Sequence, residues 1–301
     1  PQAGATSPAS LAGTLVQIVA EQLSGITYVN LRKPGFPVIM GCVPAQADLR
    51  TGAFTGGSGE FALLNAACGQ ISNHLNLPLY NSSGISDSKV PDAQAGYEKG
   101  VTTTTAALAG SNYVHHSAGF LESLLTVAYE QYVIDNDVNG SVMRMLRGIE
   151  VTEESLALDV IHDVCNGVGH FLGHAQTIAL MNSEYLYPDV ADRSSRDDWE
   201  EAGAKDLRVI AQTKAKDILE ENRSKLDVMA EALMMYETID AKQIDDIMAG
   251  RKPRSPAGWD DDQNRRGGQQ RPVVDDEAED DAEQPRKRGP EDPFVDSVSD
   301  H

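Results

Sequence analysis

Hydrophobic residues in the first part of the chain alternate between two spacings. In residues 11–23 they recur at helical spacing, and in residues 36–41 they form a short continuous run. The first pattern predicts an amphipathic helix and the second a buried parallel strand. Strands and helices that alternate form parallel sheets through right-handed crossovers, so we predict an α/β protein. The further predicted elements are helices over about residues 60–75, 91–108 and 119–133 and strands over residues 77–80 and 112–115.

The later part of the chain is predicted to be helical and then disordered. Residues 137–147 and 153–166 are predicted as two more helices, the second capped by Thr152. Beyond residue 195 the pattern is long, charged and helical through residue 248. From residue 253 onward the chain is too polar to bury a core, so this acidic tail is predicted to be disordered.

Composition argues against several classes of function. The 301 residues carry a formal net charge of −21, which disfavours a nucleic-acid or anionic-membrane surface. The three cysteines are widely spaced, so neither a disulfide framework nor a zinc knuckle is indicated. No apolar run approaches the ~20 residues that span a bilayer. We therefore expect a cytoplasmic protein that binds neither nucleic acid nor membrane.

The loops after the predicted strands are the places for chemistry, because ligands gather at the carboxyl ends of parallel strands. Residues 81–89 form the most informative loop, which is polar and enters a helix through Pro91. For an arbitrary sequence, a solvated loop with a good helix cap is the simpler interpretation. Residues 57–62 match the G-x-G-x-x-A fingerprint, but they lie too far after their strand for a dinucleotide turn, so NAD is disfavoured.

The histidines are weaker candidates. His115 and His116 end a predicted strand, so one should point to the inner side of the sheet and its neighbour away. A satisfied polar role is the simpler interpretation for both. His170 and His174 have the spacing of a helical metal pair, but the glutamate of an H-E-x-x-H site and an evident third ligand are missing. We expect no metal bound directly.

Four strings of residues resemble the trimethylamine methyltransferase (MttB) family: residues 1–13, 87–99, 133–137 and 169–174. The likeness runs from residue 1 to about residue 207. It implies the C-terminal portion of a (β/α)₈ TIM barrel, incomplete here because a closed barrel needs eight units, about 250 residues. The implied activity moves a methyl group from a methylated amine, such as trimethylamine or glycine betaine, to the cobalt of a corrinoid on a partner protein. The intact family is expected to be homo-oligomeric.

The resemblance also implies site residues. Gly84 or a near neighbour is expected to correspond to the pyrrolysine of the founding trimethylamine enzymes, which makes this chain a non-pyrrolysine member. Because cob(I)alamin is itself the nucleophile, the chain must hold an ammonium group, for which aromatic faces and carboxylates are suited. The predicted catalytic residues are Gly84, Asp87 and Glu98, and the predicted substrate-binding residues are Tyr80, Lys89, Asp92, Gln94, Tyr97 and His115. Tyr113 lies near the same strand ends. For two of these residues a simpler role is equally favoured. Tyr97 would then be a core residue of its helix, and Glu98 a solvated one.

A second resemblance begins at about residue 215. The segment to residue 259 resembles the C-terminal end of FtsH, a membrane-anchored AAA+ zinc protease. It contains neither the nucleotide-binding loop nor the H-E-x-x-H pair of such a protease. We therefore predict a chimera with a partial barrel domain (1–207), a helical segment (208–252) and a disordered tail (253–301). An inactive chimeric fragment and, less favoured, a protease fragment are the alternatives to a methyltransferase.

Overall fold

The computed structural model describes residues 1–167, 169–256 and 259. The chain divides into two compact units, Pro1–Arg223 and Ser224–His301. The first unit is mixed α/β, as predicted. Its helices are α1 (Leu11–Arg32), α2 (Gly59–His74), α3 (Ala93–Leu108), α4 (Tyr129–Arg147), α5 (Glu153–Leu156), α6 (Leu158–Asn166), α7 (Ala175–Leu180), α8 (Arg196–Glu201) and α9 (Leu207–Glu221). Its strands are β1 (Gln2–Ala3), β2 (Met40–Cys42), β3 (Ala45–Ala47), β4 (Phe54–Thr55), β5 (Leu79–Ser82), β6 (Tyr113–His115), β7 (Phe120–Leu121) and β8 (Thr126–Val127).

The three predicted strands form one parallel sheet in the order β2-β5-β6. Each begins later than its hydrophobic pattern predicts. Pro37 and Pro78 explain part of the delay, because a proline has no N–H to donate to a ladder. Pro78 contributes only its carbonyl, which accepts a hydrogen bond from the Met40 N–H at 2.8 Å. The ladder therefore starts beyond the two prolines.

One face of this sheet carries the core. Met40, Cys42 and Leu79 are almost fully buried and pack with Ile18 of α1 and Cys68 of α2. Strand side chains alternate between faces, so the register places Gly41, Tyr80, Ser82, Tyr113 and His115 together on the other face. The helix-covered face is therefore apolar, and the opposite face is aromatic and polar.

The predicted helix over residues 119–133 is wrong. The segment instead forms the hairpin of β7 and β8 around a short 3₁₀ turn (Glu122–Leu124), and α4 begins only at Tyr129. Positive φ angles at Glu122, Ser123 and Leu124 are incompatible with an α-helix. The N–H groups of Glu122 and Ser123 donate to the carbonyls of Ser88 and Ser86, so contacts with a distant loop override the local pattern.

Other boundaries also differ from the predictions. The helix predicted over residues 137–147 is the second half of α4, and the one over residues 153–166 is interrupted at Ala157, whose φ is 51°. The Thr152 cap is confirmed by a bond from the Ser155 N–H. Besides the pairing of β7 with β8, two strand pairings were not predicted. They join β3 to β1 in parallel and to β4 in antiparallel, within strands too short for a periodic signal.

The described part of the second unit is helical. Its elements are α10 (Arg223–Tyr236), which starts at the boundary, and α11 (Ala241–Met248). Asp246 is buried beside the guanidinium groups of Arg251 and Arg254, which hold the pKa of its carboxyl well below its usual range. The part of the predicted disordered tail from residue 260 lies outside the described residues. Across the described residues, no helix has the length and apolar content needed to cross a membrane.

Leu79 tests whether the apolar face carries the stability of the sheet. We expect Leu79→Ala to lower the free energy of unfolding by about 2–5 kcal/mol, because it leaves a cavity among Ile18, Met40 and Cys68. Leu125→Ala is the matched control, because Leu125 is 82% exposed. Urea unfolding followed by circular dichroism measures both. Equal effects of the two changes would contradict the assigned core.

Candidate active site

Two groups of side chains lie on β5 and β6 and in the segments that follow them. The first, the aromatic cluster, consists of Tyr80, Tyr113, His115, His116 and Phe120. The second, the loop network, consists of Ser86, Asp87, Glu98 and Ser123, with Gln94 at its edge. The predicted site residues are distributed between these groups and the surface.

The aromatic cluster is built on adjacent strands. The Tyr80 ring lies edge-on to Tyr113 and His115, with ring centroids 6.3 and 5.8 Å apart. Tyr113 and His115 stack at 6.1 Å, and Tyr113 is 61% exposed. Gly41 makes room for this arrangement, because a Cβ there would lie 2.5 Å from Tyr80 Cε1. The cluster therefore offers ring faces to a ligand.

His115 and His116 do not point to opposite sides, contrary to the expectation from strand alternation. Their ring centroids are 3.6 Å apart, because a φ of 67° at His116 ends the strand and turns the chain back. His116 Nδ1 lies 2.8 Å from the hydroxyl of Ser82. Burial, with the neighbouring His115, lowers the pKa of His116. His115 Nδ1 is buried and has no hydrogen-bond partner among the described residues.

Glu98 is buried and organises the loop after β5. Its Oε2 accepts from the Ser86 hydroxyl at 2.7 Å and from the Asp87 N–H at 2.8 Å. Its Oε1 accepts from Gln94 Nε2 at 2.9 Å. Both carboxylate oxygens are therefore used inside the protein, and the solvated interpretation of Glu98 is wrong.

Asp87 joins three segments that are far apart in sequence. Its Oδ1 accepts from the Gly56 N–H at 2.9 Å and from the Ser123 hydroxyl at 2.5 Å. Its Oδ2 accepts from the Gly57 N–H at 3.4 Å. Lys89, which is exposed, donates from Nζ to the Asp87 carbonyl at 2.8 Å. Asp87 thus anchors the loop against the β4–α2 connection and the β7–β8 turn.

The structure does not bring Asp92 and Tyr97 into either group. Asp92 is exposed and caps α3 by accepting from the Ala95 N–H at 2.9 Å, and this bond lowers the pKa of its carboxyl. Tyr97 is 61% exposed on the surface of α3, so its interpretation as a core residue is also wrong. Neither position offers an enclosed contact with a small ligand.

Two site residues were missed from the sequence, Lys99 and Asp135. They form an ion pair with a distance of 2.9 Å between Nζ and Oδ2, and each side chain is 1% exposed. The sequence does hold a signal for Lys99. Ala95, Lys99, Thr102 and Ala106 recur at helical spacing on the buried side of α3, so a charge in that stripe requires a buried partner.

His170 and His174 are not a helical pair. His174 precedes α7 and caps it, accepting from the Gln176 N–H at 3.1 Å, and His170 lies outside any helix. The described residues contain no group of three or more His, Cys, Asp or Glu side chains that could hold a metal ion. Of the two glycines in residues 57–62, Gly57 serves packing, because a Cβ there would overlap Glu98, whereas nothing lies within 4 Å of a Cβ on Gly59.

Comparison with known proteins identifies the family. The family model described as trimethylamine methyltransferase (MTTB) matches residues 1–243. The chain belongs to this family. A glycine betaine methyltransferase of Desulfitobacterium hafniense (strain Y51) is 40% identical over 197 residues, which cover 65% of this chain and 41% of that relative. Trimethylamine methyltransferase MttB of Methanosarcina barkeri is 42% identical over 221 residues, which cover 73% and 44%.

The extent of these matches matters for the domain prediction. The chain spans less than half the length of these two curated MTTB relatives. The family match ends at residue 243, beyond the boundary near residue 207 given by the resemblance, and so overlaps the segment that resembles FtsH. The FtsH resemblance and the three-domain division stay predictions.

Gly84 occupies a backbone position in this MTTB chain that suits only glycine. Its φ is 73°, and a Cβ there would lie 2.7 Å from Ser117 Cα. Its N–H donates to the Thr102 hydroxyl at 3.3 Å and its carbonyl accepts from Lys99 Nζ at 2.6 Å. The backbone of Gly84 is therefore a fixed part of the loop. Its correspondence with the pyrrolysine position stays a prediction.

Gly57 tests the packing of the loop network. We expect Gly57→Ala to lower the free energy of unfolding by about 1–3 kcal/mol, because the new methyl group overlaps the Glu98 side chain. Gly59→Ala is the control, because no atom lies within 4 Å of a Cβ there and alanine favours the first turn of α2. Thermal unfolding of both variants measures the difference. A Gly57→Ala chain as stable as wild type would show that Glu98 is not packed against this loop.

Proposed function

We propose that this chain forms part of a methyltransferase that moves a methyl group from a methylated amine to the cobalt of a corrinoid carried by a separate protein. Family membership and the relatives named for trimethylamine and glycine betaine support the reaction class. The observation that carries the proposal is the aromatic cluster, which runs along β5 and β6 to His115 and His116 at the carboxyl end of β6, the end at which parallel α/β folds bind ligands.

We further propose that the sheet β2-β5-β6 is a portion of a (β/α)₈ barrel. Helices cover one face, and the register puts Tyr80, Tyr113 and His115 on the other, which would be the barrel interior. Interior residues of such barrels lead to the catalytic face at the carboxyl ends of the strands. The aromatic cluster would then line the mouth of the barrel.

The aromatic rings and the carboxylates have different roles in this proposal: the rings bind the substrate, and the carboxylates hold the loop in place. An ammonium group is attracted to aromatic faces, and the cluster is a set of adjacent rings in which Tyr113 is well exposed. Asp87 and Glu98 are occupied by internal hydrogen bonds, so they hold the loop rather than contact the substrate. The nucleophile is the corrinoid of the partner, so the chain has only to present the methyl carbon to it.

Tyr113 tests the binding role. We expect trimethylamine, as trimethylammonium, or glycine betaine to bind the full chain. We expect Tyr113→Ala to raise the dissociation constant about two- to fivefold, because one exposed cation–π contact is lost. Tyr28→Ala is the control, since Tyr28 is 67% exposed on α1. Ligand-observed NMR titration measures binding.

A second measurement tests the reaction itself. The full chain is incubated with cob(I)alamin and each amine, and the absorbance of methylcobalamin is followed. Formation of methylcobalamin by wild type and slower formation by Tyr113→Ala support the proposal. If a cooperatively folded chain neither binds an amine nor forms methylcobalamin, the chain is an inactive fragment. The short span relative to the curated relatives is the observation that favours this alternative.

A further inference from the structure

The buried ion pair of Lys99 and Asp135 lies between α3 and α4. The distance between Nζ and Oδ2 is 2.9 Å, and both side chains are 1% exposed. Gln131 Nε2 donates to the other carboxylate oxygen at 2.8 Å. Burial raises the pKa of Asp135 and lowers that of Lys99, which reflects the cost of removing both charges from water. The pair therefore needs a reason beyond the attraction between its charges.

Each partner also holds the backbone of one loop. Lys99 Nζ donates to the Gly84 carbonyl at 2.6 Å, in the loop after β5. The Gly119 N–H donates to Asp135 Oδ2 at 2.7 Å, in the loop after β6. A continuous path of hydrogen bonds thus runs from Gly84 through Lys99 and Asp135 to Gly119. The two ends of this path lie next to the aromatic cluster.

Gly119 lies close in sequence to two members of that cluster. It lies directly before Phe120 and three residues after His116, and the His116 and Phe120 rings meet edge-on at 5.3 Å. A Cβ on Gly119 would overlap the Tyr132 ring, so this backbone is also pressed against α4. On the other side, Gly84 lies two residues after Ser82, whose hydroxyl forms a hydrogen bond with His116. Both loops therefore converge on His116.

Stability alone does not explain such a pair. Apolar residues of similar volume often replace a buried ion pair without loss of stability, because the desolvation penalty offsets the Coulombic gain. Methionine in place of Lys99 could not donate a hydrogen bond to the Gly84 carbonyl, and leucine in place of Asp135 could not accept one from the Gly119 N–H. The pair is therefore best explained by the two backbone groups that it holds.

We propose that Lys99 and Asp135 are positioning residues, which fix the loops after β5 and β6 and so hold the aromatic cluster in its ammonium-binding geometry. The binding part of this inference rests on the proposed function. The loop-fixing part does not.

The first test uses the wild-type chain and amide hydrogen exchange measured by NMR. We expect the Gly119 amide to be protected to the level of the central amides of α4, because its acceptor is a buried carboxylate. Exchange of the Gly119 amide at the rate of an unstructured peptide would overturn the proposal.

The second test replaces the pair by apolar residues. In the double variant Lys99→Met with Asp135→Leu we expect a cooperative unfolding transition at a lower melting temperature than wild type, because the Gly84 carbonyl and the Gly119 N–H lose their partners. We expect Gly119 exchange to rise and the affinity for trimethylammonium or glycine betaine to fall, each about tenfold or more, because charge-assisted bonds to the loops are lost. The control is Lys216→Met with Glu220→Leu, an exposed ion pair of α9, which should change neither quantity.

Two outcomes of the second test would overturn the proposal. If the double variant keeps wild-type Gly119 protection and amine affinity, the pair is only packing. If it shows no cooperative unfolding transition, the pair is required for folding itself. Failure of the wild-type chain to bind either amine would instead contradict the proposed function, and Gly119 exchange would still decide whether the pair fixes the loops.

Discussion

Two neighbouring charged side chains of α3, Glu98 and Lys99, point into the interior, where each requires a partner because an unpaired buried charge is strongly destabilising. Glu98 takes its partners from the loop after β5, and Lys99 takes one from that loop and one from α4. The requirement to satisfy these two charges fixes the path of the loop between β5 and α3. Asp87, in the same loop, accepts hydrogen bonds from the β4–α2 connection and from the β7–β8 turn, and so ties both segments to the loop.

The parts of this fold that the sequence predicts are those that depend on local periodicity. The helices α2 and α3 begin and end close to their predicted limits, and the three parallel strands lie within or beside their predicted runs. The hairpin of β7 and β8 could not be predicted, because its shape depends on N–H bonds to Ser86 and Ser88, more than thirty residues away. Local pattern is a weak guide where a distant acceptor decides the backbone conformation.

The same distinction separates the predicted site residues. Tyr80 lies within β5 and His115 ends β6, and side-chain alternation along parallel strands predicts their common face. Asp87 and Glu98 were selected for their charge, and the structure uses that charge for hydrogen bonds within the protein. Lys99 and Asp135 are 36 residues apart in sequence, and only the packing of α3 on α4 brings them together. From the sequence alone we can predict that Lys99 requires a buried partner, but we cannot predict which residue that partner is.

The chemistry of the site follows from this division of roles. A site made of aromatic rings would lose its geometry if the loops that carry the rings were loose. Here the carboxylates of Asp87 and Asp135 accept hydrogen bonds from the backbone N–H groups of Gly56, Gly57 and Gly119. The rings of Tyr80, Tyr113 and His115 remain on the uncovered face of the sheet. The buried charges therefore have two effects. They hold the polar loops in place, and they leave the aromatic face of the sheet free to contact a ligand.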